Sequence, residues 1–400
     1  MRWIVCVALS LLLAATAVAQ HDFAEVDRAI EAAIAAEQIP GAVVLIAQDG
    51  GVLHERAFGD AQRFDYGNVP LDPPEPMTTA HVFDVASLTK VMATTFAIML
   101  LVDDGAVDLN APVHTYLPSF RGVAKDSITV RHLLSHTSGL MPWEPVYYHA
   151  SNADGALAHI ASLPLAGTVG QRVRYSDLGF MLLGYLVEAV SGEPLDAFLR
   201  EQLYDPLGLA HTSFRPADGP FAATSHGNPF ERRMVADDTF GYVCDEAPAD
   251  FTAWRDYTLV GEVNDGNAHH GHQGVAGHAG LFSTASELHT LMTLLLGDGV
   301  YHGTRYISAE TVQTFLLAQT DMRALGWAVD RGVLGMDGLP EGTISHTGFT
   351  GTLAMGFPDM GVSILLLTNR QNLGVGSDGR YASLTELRRR VVRAVLAATR

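Results

Sequence analysis

Lysine is nearly missing from this chain. Lys90 and Lys125 are the only two among 25 basic residues, and the others are arginines. A guanidinium keeps its proton at any accessible pH, so no arginine can act as a base. A lysine can, where burial or a nearby cation lowers its pKa. Cysteine is equally scarce: Cys6 lies in an apolar N-terminal run, and Cys244 is the other. A chain cleaved after that run has no intrachain disulfide. Cys6 also lacks the small-residue context that precedes a lipidated cysteine. Beyond that run no stretch reads as long and apolar enough to cross a bilayer. Positive charge is in deficit, with a formal net charge of −19. That balance argues against nucleic acid and anionic membrane surfaces as partners.

What is present begins with Met1-Arg2-Trp3, an apolar run from Ile4 to Ala15, and Ala17-x-Ala19. This pattern predicts a secretory signal, residues 1–19, cleaved after Ala19, and hence export to the periplasm or exterior. A retained N-terminal anchor is the alternative. The remaining residues, 20–400, suit one large domain or two interleaved ones. Residues 24–36 read as an amphipathic helix with Val26, Ile30, Ala33 and Ile34 on one face. A buried strand follows over 42–47, then a turn at Asp49-Gly50-Gly51 and a second strand over 52–58. The proline-rich stretch 70–76 reads as a surface loop. Helix is predicted from Ser87 through Val102 and from Phe180 to Val190. Thr284-x-x-Glu287 reads as a capping box. Strands return over 343–346, 351–357 and 362–368, before a last helix over 384–398. The expected fold is α/β (α+β): an antiparallel sheet from both chain ends, about 22–85 and 275–400, covered by the terminal helices. A mostly helical region, about 86–274, is inserted. Within it, 215–272 lacks periodicity and reads as a long ordered excursion lining a site.

Chemistry concentrates at Ser87-Leu88-Thr89-Lys90. A serine hydroxyl is a poor nucleophile until a base takes its proton. Residues three apart on a helix share a face, so Lys90 Nζ can reach Ser87 Oγ. A helix N-terminus there favours developing negative charge. The apolar company of Lys90 speaks against a solvated surface lysine. Two later pieces add to the pair: Arg174-Tyr175-Ser176-Asp177 before an apolar helix, and Ser345-His346-Thr347-Gly348 at a strand end. A buried phenol near an ammonium can ionise or relay a proton.

With these motifs on the page, the chain resembles the penicillin-binding protein and class C β-lactamase superfamily of serine hydrolases, over about 25–398. The family's Ser-x-x-Lys falls on Ser87 and Lys90, its Tyr-x-Asn on Tyr175 and Asp177, and its Lys-Thr-Gly on His346, Thr347 and Gly348. The phrases Arg131–Leu140, Gly277–Thr284 and Leu367–Arg370 are similar to the family as well. The resemblance implies a β-lactamase/transpeptidase-like fold and two-step acyl transfer on Ser87, with Lys90 and Tyr175 handling the proton. It implies an oxyanion hole from the backbone N–H groups of Ser87 and Phe349, and substrate contacts from Asp177, His346, Thr347 and Gly348. No metal or organic cofactor is implied. Two departures bear on substrate. Asp177 offers an acceptor and a charge where the family has an amide, and a neutral His346 supplies less fixed charge than a lysine. Both resemble the esterase and peptidase branches more than dedicated β-lactamases.

The expected function is therefore an exported, monomeric serine hydrolase acting on a small ester, a D-amino-acid amide or a peptidoglycan-derived peptide. A true class C β-lactamase and a non-catalytic penicillin-binding sensor are the alternatives. His269, His270, His272 and His278 invite a zinc reading through His-x-His spacing, but no acid or cysteine stands at a recognised ligand spacing beside them. His132 and His136, four apart, read as structural.

Overall fold

The computed structural model describes residues 21–242 and 244–399, so the expected signal over 1–19 lies outside the described residues. A seven-stranded sheet organises the molecule. Its spatial order is Val69–Pro76, Gly51–Asp65, Gly41–Gln48, Val362–Thr368, Leu353–Phe357, Ile344–Thr347 and Ala328–Val329. Every pairing is antiparallel. The first and last long strands meet at the centre, where Ala42 faces Thr368 and Gln48 faces Val362.

The central strands are apolar throughout because both faces of the sheet are covered. Side chains alternate along a strand. Val43, Leu45 and Ala47 enter one core with the helical region, while Ala42, Val44 and Ile46 enter a second. That second core is capped by two antiparallel partners from the chain ends, the helices Ala24–Ala35 and Thr385–Ala398. Val26, Ile30, Val391 and Val395 are fully buried there. Burying each such side chain contributes about 1.5–3 kcal/mol. On the opposite face lies the helix Ala285–Leu296, with Leu288, Leu291, Met292 and Leu295 buried.

Three expectations need correction. The proline-rich stretch is an edge strand, Val69–Pro76, paired with Gly51–Asp65 and not a loop. Its prolines are tolerated because an edge strand leaves half its N–H positions unpaired. The capping box at Thr284 is only half formed. Thr284 Oγ1 accepts from Glu287 N at 3.2 Å, but the Glu287 carboxylate turns away to accept from His211 N and Thr212 Oγ1. And the run Ala86–Asp103 is, by length and composition, apolar enough for a membrane span, with mean hydropathy 1.4. It is the core helix of the inserted region, and 78% of it is buried within the fold.

Candidate active site

The chain turns sharply just before Ser87. Ala86 has φ of 48°, a left-handed conformation that costs an L-residue about 1 kcal/mol or more. Contacts from distant segments hold it there. Asp84 Oδ1 accepts from Ala86 N at 2.8 Å, and Asp84 Oδ2 from Asn264 N at 2.7 Å. Thr350 Oγ1 donates to Asp84 O and Thr352 Oγ1 to Val85 O, at 2.8 and 3.0 Å. Thr89 Oγ1 donates to Ala86 O at 2.6 Å. A short 3₁₀ turn, Ala86–Leu88, then opens a wider π-turn over Lys90–Thr94 that runs into the α-helix Thr95–Asp103. Ser87 thus stands at a helix N-terminus, as its spacing suggested. Wide turns of this kind are frequent at functional sites.

Lys90 is fully buried, one turn below the nucleophile. Its Nζ donates to Ser87 Oγ at 3.0 Å and to His278 O at 2.8 Å. Asp177 Oδ1 lies 2.8 Å from the same Nζ, a close contact of charges rather than an aligned hydrogen bond. Burial pulls the Lys90 pKa down, but Asp177 and then Tyr175 pull it up by more, so it is raised above that of an ordinary lysine. The resting Lys90 is an ammonium. Its burial matches the sequence reading; the effect of burial on its proton is reversed by the acid beside it. The delivery of His278 O depends on Gly277, where a Cβ would lie 2.1 Å from Phe180 O on the helix Asp177–Ser191. The other lysine, Lys125, is buried as well and donates Nζ to Ala161 O at the end of the helix Ala153–Ser162.

Ser176 caps the helix Asp177–Ser191, with its Oγ accepting from Gly179 N at 3.2 Å. That cap places Tyr175 and Asp177 on either side of it. His136 steadies the segment: its Nδ1 accepts from Ser176 N at 3.1 Å and its ring lies 4.5 Å from the Tyr175 ring. Lys90 Nζ stands 5.1 Å from the centre of the Tyr175 ring.

The strand Ile344–Thr347 brings its end to the same place. Gly348 N donates to Thr352 O at 2.9 Å, and a Cβ on Gly348 would stand 2.4 Å from Val85 O. Only glycine lets this turn approach the nucleophile. The N–H groups of Ser87 and Phe349 make no turn or loop hydrogen bond among the described residues. Arg370 anchors residue 349 by donating Nε and Nη2 to Phe349 O, at 3.2 and 2.7 Å. His346 is buried, and burial, Arg323 and Lys90 hold its pKa well below the usual histidine value. It is neutral, as read from the sequence.

Ser87, Tyr175, Asp177, His346, Thr347, Gly348 and Phe349 all line one cavity of about 410 Å³, with Lys90 beneath it. Five charged groups in its walls had no role in the sequence reading, among them Arg323, Glu231 and Asp265. Arg323 lies with its Cζ 5.5 Å from the Tyr175 ring, and its Nη1 is buried without a partner. Asp265 Oδ1 pairs with His278 Nε2 at 2.9 Å, while Glu231 Oε2 accepts from Gly266 N at 3.0 Å. None of the three stands in a motif. Glu231 and Asp265 belong to the excursion 215–272, whose structured turns include the helix Pro229–Ala236.

The four histidines of 269–278 take separate partners. His272 Nε2 lies 2.5 Å from Tyr185 Oη, His278 holds Asp265, His269 Nδ1 is 3.8 Å from Glu262, and His270 packs on Tyr147 and Phe251.

The Beta-lactamase family matches residues 26–386. The chain is 34% identical over 371 residues to the N-acetylmuramyl-L-alanine amidase of Bacillus subtilis (strain 168), covering 88% of this chain and 81% of that one. It is 31% identical over 367 residues to an Escherichia coli (strain K12) protein named D-alanyl-D-alanine carboxypeptidase, covering 87% and 82%. Among solved structures it is similar to EstCE1, a hydrolase with promiscuous acyltransferase activity, at a TM-score of 0.68 and 23% identity over 93% of this chain and 97% of that one. The last likeness is one of fold. The chain is a hydrolase and belongs to the Beta-lactamase family.

Proposed function

We propose that this protein is an exported serine hydrolase that works through an acyl-enzyme on Ser87 and cleaves a D-amino-acid amide, a peptidoglycan-derived peptide or a small ester. The observation that carries the reading is the 3.0 Å contact between Ser87 Oγ and a fully buried Lys90 at the floor of a shaped cavity. Ser87 Oγ bonds to the substrate carbonyl carbon as its proton passes to Lys90 Nζ and a proton of that ammonium moves to the Asp177 carboxylate 2.8 Å away. The N–H groups of Ser87 and Phe349 receive the oxyanion, each such donor lowering the barrier by about 3 kcal/mol. The Lys90–Tyr175–Asp177 cluster returns the proton to the leaving group as the scissile bond breaks. Water then cleaves the acyl ester and frees Ser87.

Substrate preference follows from charge. With His346 neutral, fixed positive charge in the cavity comes from Arg323, Arg370 and Arg388, and the unpartnered Nη1 of Arg323 suits a substrate carboxylate. Glu231 and Asp265 line the same cavity, Asp265 carrying negative charge and Glu231 holding its proton near neutral pH. A ligand with a carboxylate at one end and hydroxyl or amine donors at the other fits this polarity. The names of the amidase and carboxypeptidase relatives support an amide or peptide from the cell wall.

The deciding experiment sets p-nitrophenyl esters, D-Ala-D-Ala peptides, muramyl peptides and nitrocefin side by side. Turnover of an ester, peptide or muramyl amide, lost by at least about a thousandfold in Ser87→Ala, supports the enzyme. A stable adduct on Ser87 with no turnover of any substrate would make the protein a sensor. Nitrocefin hydrolysis near the ester rate would return it to the class C β-lactamases. Full activity in Ser87→Ala would refute the mechanism.

A further inference from the structure

Outside the cavity, two imidazoles and two carboxylates converge. Glu144, His149 and His159 place their ligand atoms within 4.8 Å of one another. His159 Nε2 stands 3.9 Å from Glu144 Oε1, too far for a hydrogen bond, and has no other partner although it is buried. The His149 and His159 rings stack at 3.9 Å, with planes only 14° apart. Glu246 closes the group, its Oε1 2.5 Å from His149 Nε2 and its Oε2 buried and unpartnered. Among the described residues no arginine or lysine pairs with either glutamate. A hydrogen-bonded network would satisfy His159 Nε2 and Glu246 Oε2; this one leaves both without a partner.

We propose that Glu144, His149, His159 and Glu246 form a binding site for one divalent transition-metal ion. Two imidazole nitrogens with carboxylate oxygens are the donor set of zinc and its neighbours. Four protein ligands leave no position for chemistry, so the ion is structural. Its supports are built in: Glu144 O accepts from Asn267 Nδ2 at 2.8 Å. None of the four residues lines the cavity, but Trp143 and Tyr242 do, and their rings pack edge to face at 5.3 Å. Glu144 follows Trp143, and Glu246 lies four residues beyond Tyr242. The ion therefore fastens the Tyr242 segment to the Trp143 wall of the cavity. The site rests on these ligands alone and is independent of the proposed reaction.

The test uses tag-free protein dialysed against chelator and then titrated with Zn²⁺ or Co²⁺. The expected result is about one ion per chain, visible Co²⁺ absorption bands of four- or five-coordinate intensity, and a melting temperature raised by a few degrees at saturating Zn²⁺. Ser87→Ala should bind identically. His159→Gln and Glu144→Gln should each weaken binding by at least about tenfold. Circular dichroism in the absence of metal separates lost ligation from lost folding. Wild-type protein that takes up no Zn²⁺ or Co²⁺ at about 100 µM metal would overturn the site, as would binding undiminished in both folded variants.

Discussion

Asp177 changes what Lys90 can do. A buried ammonium with no counter-charge would shed its proton, because burial alone disfavours the charged form. With the carboxylate 2.8 Å away the ammonium is held instead. The proton from Ser87 then has to be accommodated by a cluster of three groups rather than by one free amine. Asp177→Asn removes the largest group that raises the Lys90 pKa and leaves burial dominant. The pKa should fall, and the limb of the pH profile of kcat/KM that reports Lys90 should move toward acid by at least about one unit. A profile superimposable on wild type, at unchanged fold, would show that Asp177 does not govern the lysine. Ser87, Lys90, Tyr175, Asp177 and His346 were all readable because each stands at a motif position. Arg323 was not. It reaches the site from a turn between Ala309–Leu316 and Ala328–Val329, where no local spacing announces it. His136 was seen but taken only as structural; its hold on Ser176 makes it a positioning residue for Tyr175 and Asp177.

Among elements, the strand end and the nucleophile turn form one unit. Thr350 and Thr352 bind the carbonyls of Asp84 and Val85, and Gly348 fits against Val85 O. Gly348→Ala forces the two apart. It should lower kcat by at least about tenfold and cost about 1–3 kcal/mol of stability, read by ester turnover and urea denaturation. Wild-type kcat in this variant would mean that the strand end tolerates displacement. Periodicity revealed most elements here. An unbroken apolar run marks Gly41–Gln48 as a strand buried on both faces, and the stripe of Val26, Ile30 and Ala33 marks the first helix. It failed at Val69–Pro76, because edge pairing asks nothing of apolar pattern and tolerates proline. It failed again over 215–272, where order comes from polar side chains. Arg255, for example, donates to the Asn228 side chain and to the carbonyls of Val263 and Asn264. Such contacts span 8 to 27 residues and leave no period.

At the scale of the whole molecule, the acidic wall of the cavity carries a pH-dependent stability. Burial, then repulsion from Asp265, pushes Glu231 up to about 8. Burial would raise Asp265 too, but His278 beside it holds it below the usual carboxylate range. A carboxyl raised in the folded state contributes stability that is complete below its unfolded pKa, near 4.5, and lost as pH climbs through about 8. Each unit of displacement corresponds to about 1.4 kcal/mol. Glu231→Gln should therefore lose less stability than wild type between about pH 5 and pH 9 in paired thermal melts. Equal losses would place the ionisation elsewhere. The chain's topology sets a further condition, one of timing. The strand Gly41–Gln48 has its central partner in Val362–Thr368, more than 300 residues later. Ribosomal synthesis makes that partner only after about 300 further residues, so the hairpin around Asp49-Gly50 emerges with one long apolar edge unsatisfied. Until the final strand is made, neither core can close, and the turn that Thr350 and Thr352 hold in place cannot form. The hydrolase is thus inert until Val362–Thr368 is made, and its first turnover certifies that this strand has found Gly41–Gln48.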